Sequence, residues 1–136
     1  MTDVRAGAAG RRTISSGGHW EPIYGYSRAV VVGDACFVAG TSDAGADGKA
    51  RHPGDPAGQA RAILEVIERT LTSAGFSRRD VVRTRMYITS AADADAVGAV
   101  HGEFFRDVRP ASAMIVMVGL VDPSLLVEIE ADAVRG

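Results

Sequence analysis

Apolar residues along the chain recur with two different periods. Arg28 to Val32 and Ala35 to Gly40 are short and rich in β-branched or aromatic residues, and Gly33-Asp34 between them is a turn dipeptide, so the pair predicts a hairpin. Val81 to Thr89 alternates, which predicts a strand with Val82, Thr84, Met86 and Ile88 on one face and Arg83, Arg85 and Tyr87 on the other. Leu125 to Val134 alternates again, with Val127, Ile129, Ala131 and Ala133 inward and Glu128, Glu130 and Asp132 on the opposite face. Ala113 to Val118 is almost wholly apolar, the pattern of a strand buried on both faces, and Val121 to Ser124 turns the chain before the last strand.

Helical spacing appears twice. Asp55 is an acidic N-cap ahead of Pro56, whose missing N–H costs nothing in a first turn, and Gly75 ends the segment. Between them Ala60, Ile63, Leu64, Ile67, Leu71 and Ala74 form one stripe, while Gln59, Arg61, Glu65, Glu68, Arg69 and Thr72 are expected to face away. A second helix starts near Ser90 or Asp93, points Ala96, Val97, Val100, Phe104 and Phe105 inward, and stops before Arg109-Pro110. Ser42 to Gly54 reads as a surface loop with a solvated His52. Residues 1–12 lack large apolar side chains and read as a flexible tail, leaving a single domain over 13–136. Hairpin, helix, strand, helix, strand and strand make an α+β fold, with two helices on one face of a mixed sheet. The other face, bearing Tyr87, Glu128 and Glu130, is left uncovered, which predicts a homo-oligomer.

Composition removes several function classes. The chain has 136 residues, enough for one core, and Lys+Arg 15 against Asp+Glu 17 gives a net charge of −2. No basic stripe exists to hold a nucleic-acid backbone. The lone Cys36 forms no internal disulfide, zinc site or redox pair, and its apolar neighbours Phe37 and Val38 suggest a buried, inert thiol; a reducing cytoplasm is the expected location. No apolar run approaches the roughly 18 residues of a membrane span, and Arg11-Arg12 leads into Thr13 to Gly18 with no apolar signal segment, so neither spanning nor export is expected. His19, His52 and His101 lack i, i+4 partners, so no metal and no cofactor is expected, and Gly17-Gly18 is expected to precede no helix that would bind phosphate.

Tyr26-Ser27-Arg28-Ala29-Val30, Phe37-Val38-Ala39-Gly40, Gln59-Ala60, Val81-Val82-Arg83-Thr84, Phe104-Phe105, Arg109-Pro110-Ala111 and Val127-Glu128-Ile129-Glu130-Ala131 resemble the RidA (YjgF) family, from about Ile23 to Val134. The resemblance implies a chorismate-mutase-like fold, a homotrimer with clefts between subunits, and hydrolysis of reactive imines and enamines to an oxo acid and ammonia. It implies substrate contacts at Tyr26 and Gly40 and a catalytic Glu128. Thr41 stands where the family has glutamine, Gly98 where it has asparagine and Met114 where it has cysteine. Ser112 occupies the position of the arginine that clamps the substrate carboxylate, and a neutral hydroxyl replaces two charge-assisted hydrogen bonds there. Arg28 and Arg109 are the two candidates to supply the cation instead.

The residues taken alone leave alternatives open. Glu128 and Glu130 project from one strand face, equally the pattern of an interface ion-pair set and of a reactive pair; the resemblance favours a catalytic Glu128 and leaves Glu130 structural. Ser112 lacks a nucleophile-elbow turn and a histidine near it in sequence, so a strand-entry serine is expected. Three functions follow in order: a hydrolase of small nitrogenous metabolites, a non-catalytic trimer that binds a small metabolite, and an endoribonuclease.

Overall fold

The computed structural model describes residues 3–6 and 10–136. The turn at Gly33-Asp34 forms as predicted, with Gly33 at φ 56°, and joins β3 (Ala29–Val32) to β4 (Ala35–Ser42) in antiparallel register. The Asp55 side chain accepts from the Gly58 backbone N–H and starts α2 (Pro56–Ser73). The alternating strands become β5 (Val81–Ile88) and β7 (Val127–Val134), the latter with Val127, Ile129, Ala131 and Ala133 all buried. Between β5 and β7 lie α3 (Ala94–Phe104) and β6 (Ala111–Val116). With β1 (Asp3–Ala6) and β2 (Arg11–Ser15) they complete a seven-stranded sheet in the order β1-β2-β3-β4-β7-β5-β6, antiparallel except for the β5–β6 pair. Helices α2 and α3 pack against each other, and Ile63, Leu64, Ile67 and Leu71 with Val97 and Val100 meet Val31, Cys36, Val38, Met86, Ile88 and Ile129 of the sheet in one core. The α+β fold with both long helices on one face is therefore as expected.

Several expectations are corrected. The segment read as a flexible tail over 1–12 supplies β1 and the start of β2; residues 1, 2 and 7–9 lie outside the described residues. β2 is held because Ile14 is fully buried and the strand pairs with β3. A short helix not foreseen, α1 (Trp20–Tyr24), follows Gly17-Gly18 and ends at Gly25 in the left-handed region, φ 73°. Val82 points outward, 47% exposed, because the β5–β7 register shifts between Val81 and Arg83 and inserts a residue there. Ala96 is exposed on α3. Gln59, expected on the solvent side, is completely buried: its amide donates to the carbonyls of His52 and Ser124 and accepts from the Leu126 N–H, tying α2 to the approach of β7.

The largest departure is β6. It is the last strand of the sheet, and most of it is exposed within the chain, Val116 at 55% and Val118 just beyond it fully so. An edge strand with apolar residues on both faces has the same sequence pattern as a central one, which is why periodicity misplaced it.

Candidate functional site

Glu128 sits on the uncovered face of β7, opposite Ser42 of β4 on one side and Tyr87 of β5 on the other. A bulge between Val38 and Thr41 lifts Ala39 and Gly40 out of regular pairing with β7 and brings the Gly40 backbone against this carboxylate. A Cβ on Gly40 would lie 2.8 Å from Glu128 Oε2, so only glycine leaves the carboxylate where it is. Burial pushes the Glu128 pKa above the ordinary carboxylate value, the charge of Arg28 opposes this, and that of Glu130 adds to it. No hydrogen bond to the carboxylate is made among the described residues. Its neighbour Glu130 differs: it accepts from Tyr87 Oη at 2.9 Å and faces Arg85 Nη1 at 3.4 Å, and Arg85 also reaches Asp132 at 3.6 Å. Two acids on the same strand face are thus sorted by their partners, one committed and one free.

Arg28 comes from the residue just before β3 and passes under the bulge. Its Nη2 donates to the Gly40 carbonyl at 2.6 Å, the Ala39 carbonyl at 2.8 Å and Thr41 Oγ1 at 2.9 Å, while Nε is buried without a partner. Burial makes the guanidinium hold its proton less tightly than usual, and Tyr26, Glu21 and Glu128 oppose that shift. The fold therefore gathers Arg28, Gly40, Thr41 and Glu128 around the bulge, with the Tyr26 side of the same loop next to them. Tyr26 also lines a shallow depression of about 410 Å³ with Arg11, Phe37, Arg85, Glu130 and Asp132, a wall that does not include Glu128. Glu21, which the sequence offers with His19 and Trp20 as part of a cleft mouth, is buried on α1. Its Oε2 accepts from the backbone of Ser16 and Gly18 and from Ser16 Oγ, fixing the turn that leads to Tyr26.

The remaining sequence candidates lie elsewhere. Ser112 pairs with Thr84 and Met114 with Met86 in the parallel β5–β6 ladder, so their side chains share the helix side of the sheet, opposite Glu128. Met114 reaches over α3, where its Cε would be 3.8 Å from a Cβ on Gly98: the longer side chain on the strand fills what the glycine on the helix leaves open. Arg109 follows α3 in the left-handed region, φ 54°, and lines a second depression of about 410 Å³ with His101, Gly102, Phe105, Arg106 and Pro110. Within one chain, then, Arg28 reaches the neighbourhood of Glu128, whereas Arg109, Ser112 and Met114 do not.

His52, expected to be solvated, and His101 are each held by a side-chain partner. His52 Nδ1 lies 3.0 Å from Asp43 Oδ1, and Asp43 is 1% exposed, so the half-exposed ring closes the 43–52 loop. His101 is half-buried, with Nε2 2.8 Å from Thr84 Oγ1. Cys36 is fully buried, and burial pushes its thiol up to about 11, the inert thiol that its neighbours suggested. Among the described residues no helix is long and apolar enough to cross a membrane.

Comparison with known proteins places this geometry. The family described as Endoribonuclease L-PSP matches residues 18–135. A solved structure from Mycobacterium tuberculosis, Rv2704 of the YjgF/YER057c/UK114 family, is 43% identical, with a TM-score of 0.83 over 92% of this chain and 99% of its own. An uncharacterized protein of Streptomyces coelicolor is 36% identical over 92% of both chains. The 3-aminoacrylate deaminase RutC of Acinetobacter baylyi is 35% identical over 82% of this chain and 88% of its own. With the matched segment spanning every element from α1 to β7, the chain belongs to the YjgF/RidA (L-PSP) family that its motifs resemble.

Proposed function

We propose that the protein is a deaminase that hydrolyses imines or enamines of small metabolites, with Glu128 as the base, in a cleft completed by a second copy of the chain. The observation that carries this reading is the state of Glu128: a half-buried carboxyl, free of hydrogen bonds among the described residues, with its pKa raised by burial and Arg28 close by. A base is more effective as its pKa climbs toward the working pH, provided it remains ionised there. In the reaction, the Glu128 carboxylate takes a proton from water while the hydroxide adds to the carbon of the protonated C=N bond. Protonated Glu128 then returns its proton to the carbinolamine nitrogen, which departs as ammonia as the hydroxyl proton passes to water, giving C=O and restoring the carboxylate. An enamine enters the same sequence after protonation at carbon. The name of the Acinetobacter relative, a 3-aminoacrylate deaminase, supports the enamine branch.

The cleft between subunits is supported by where the site residues lie. Tyr26, Arg28, Gly40 and Glu128 form one group, with Thr41 hydrogen-bonded to Arg28 from the buried side of the bulge, while Gly98, Ser112 and Met114 form another on the opposite sheet face. A homotrimer would bring one group from each of two neighbours together, and the exposed apolar residues of β6 supply surface for that contact.

One observation favours the non-catalytic binder instead. Arg28, nearest to Glu128, already spends Nη2 on three acceptors, and Met114 fills space beside Gly98, so the cleft has less charge to hold a substrate carboxylate. The deciding assay generates imines in situ with an amino-acid oxidase and follows semicarbazone formation. Addition of the protein is expected to lower semicarbazone yield, and Glu128→Gln to abolish the effect while leaving the oligomer intact. No acceleration with any imine or enamine tested refutes the hydrolase, and ligand-induced thermal shifts then test the binder.

A further inference from the structure

Three side chains from three elements meet on the helix side of the sheet. Thr84 Oγ1 of β5 lies 2.8 Å from His101 Nε2 of α3 and 2.8 Å from Ser112 Oγ of β6. Thr84 is 1% exposed, His101 half-buried, and Ser112 exposed at the sheet's edge, so the chain of contacts runs from the interior to the surface. No spacing rule connects Ser112 with His101; the link exists because Thr84 stands beside Ser112 in the parallel ladder, under α3.

Thr84 Oγ1 carries one proton and two lone pairs, and with no other side-chain partner among the described residues that proton goes to one of these two neighbours while the other donates. The chain has only two arrangements. In one, His101 Nε2–H donates to Thr84, Thr84 donates to Ser112, and the Ser112 proton faces outward. In the other, both bonds reverse and Ser112 shows only lone pairs. The proton on Nε2 therefore decides whether Ser112 is a donor or an acceptor. We propose that this chain reads the ligand: a carboxylate or carbonyl oxygen at Ser112 Oγ turns it outward, so that ligand binding fixes a proton on His101 Nε2. Ser112 with His101 behind it then does, through a relay, what a guanidinium would do directly.

The surroundings suit an anionic ligand. Beside the His101 ring are the Thr84 hydroxyl from β5 and the Phe105 ring at 4.8 Å on α3, and His101 shares with Arg106 and Arg109 a depression whose lining holds no carboxylate among the described residues and does not include Ser112. Burial lowers the His101 pKa below the ordinary histidine value, so the free protein holds a neutral ring at neutral pH, and an anionic oxygen at Ser112 would favour the charged form. Arg109 is a non-glycine residue held in the left-handed region beside this group, a strained placement of the kind found around ligand sites.

The inference deepens the cleft reading and rests on it for the ligand's carboxylate. The test follows His101 ring nitrogens and the Ser112 amide by NMR in the full-length protein, titrated with pyruvate as the probe. It is run in a Glu128→Gln background so that the Glu128 titration does not contribute. Pyruvate is expected to move Nε2 to the protonated type and to bind more tightly as pH falls from about 8 to about 6, the gain approaching tenfold for each unit by which binding raises the His101 pKa only at the low end of the range. Thr84→Val, of similar shape, is expected to lose both responses, and Thr84→Ser to keep them. Pyruvate that binds at Ser112 with His101 unmoved, an unchanged pH slope in Thr84→Val, or no response to millimolar pyruvate overturns the relay. Imine turnover in the native protein without this coupling leaves the hydrolase standing and the relay refuted. Coupling without turnover does the reverse.

Discussion

Replacing Arg28 by methionine separates its structural duty from its electrostatic one. Methionine fills the same channel with no donor. Of the three acceptors on Nη2, Thr41 Oγ1 merely loses an incoming bond, and the Ala39 carbonyl keeps the Thr41 hydroxyl that donates to it at 2.8 Å. The Gly40 carbonyl, which has the shortest of the three contacts at 2.6 Å, is left with none of these donors. An unmet buried acceptor costs about 1–3 kcal/mol, and removing the desolvated guanidinium returns part of it, so the net loss should be about 2 kcal/mol. For a chain of this length that lowers the melting temperature by roughly 6–10 °C, compared at equal protomer concentration because an oligomer's melting depends on it. The same substitution removes the cation that opposes the burial of Glu128, so the Glu128 pKa should rise further. Thermal denaturation and a carbon-detected NMR titration of the glutamates read both effects. A loss under about 0.5 kcal/mol, the scale of a surface substitution, or an unchanged Glu128 titration, would refute the account of the bulge.

Four further outcomes follow from the geometry. Glu128→Gln should stabilise the fold at neutral pH. A carboxyl whose folded pKa is raised favours the folded state when protonated and loses that advantage as pH climbs through the folded value, so the gain should vanish below the unfolded value of about 4.3 in urea melts across pH. Gly40→Ala should displace the Glu128 carboxylate, costing under about 1 kcal/mol because the flexible acid can move, yet cutting imine turnover at least about tenfold. Cys36 should react with a disulfide reagent at pH 8 only after unfolding, since burial holds the thiol at about 11; rapid labelling of native protein would contradict its inert role. Co-refolded Glu128→Gln and Ser112→Trp chains, each inactive alone, should regain about one quarter of wild-type turnover if each cleft takes Glu128 from one subunit and Ser112 from the next; no recovery would refute a cleft shared in that way.

How much was legible in the sequence depended on the range of the interaction. α2 was clear because its cap, its proline and its apolar stripe are all local, and β7 because one face of it is buried along its whole length. Gln59 misled because polarity alone suggested solvent, whereas three backbone groups from distant loops were waiting for its amide. Val82 misled because a bulge changes the phase of alternation without leaving a mark in composition. The site was half visible. Glu128, Gly40 and Arg28 were singled out from motif and spacing, and the fold brings them together. The Thr84 bridge between Ser112 and His101 was invisible, because it needs the parallel pairing of β5 with β6 and the placement of α3 over both.

The division of these residues between sheet faces constrains any mechanism that uses them all. Glu128 stands on β7 and Ser112 on β6, with β5 between them, and the register puts Glu128 beside Tyr87 on one face and Ser112 beside Thr84 on the other. Between Glu128 and Ser112 the pairing is continuous, β7 with β5 from Val127 to Asp132 and β5 with β6 from Arg83 to Ile88, so this part of the sheet is opaque to a small ligand. A small metabolite that touches the Glu128 carboxylate therefore cannot touch Ser112 of the same chain. Either Ser112 and its relay belong to a separate site on the helix side, or one site is assembled from two copies. The exposed β6, with Ile115, Val116 and Met117 uncovered, argues for the second, because apolar side chains on an edge strand invite burial against another chain. In such an assembly the acid and the hydroxyl approach a bound metabolite from opposite walls, one at the carbon that water attacks and the other at its anionic end. The base and the group that orients the substrate are then independent in sequence and in fold, so one could change from arginine to a serine backed by histidine while the other stayed a glutamate.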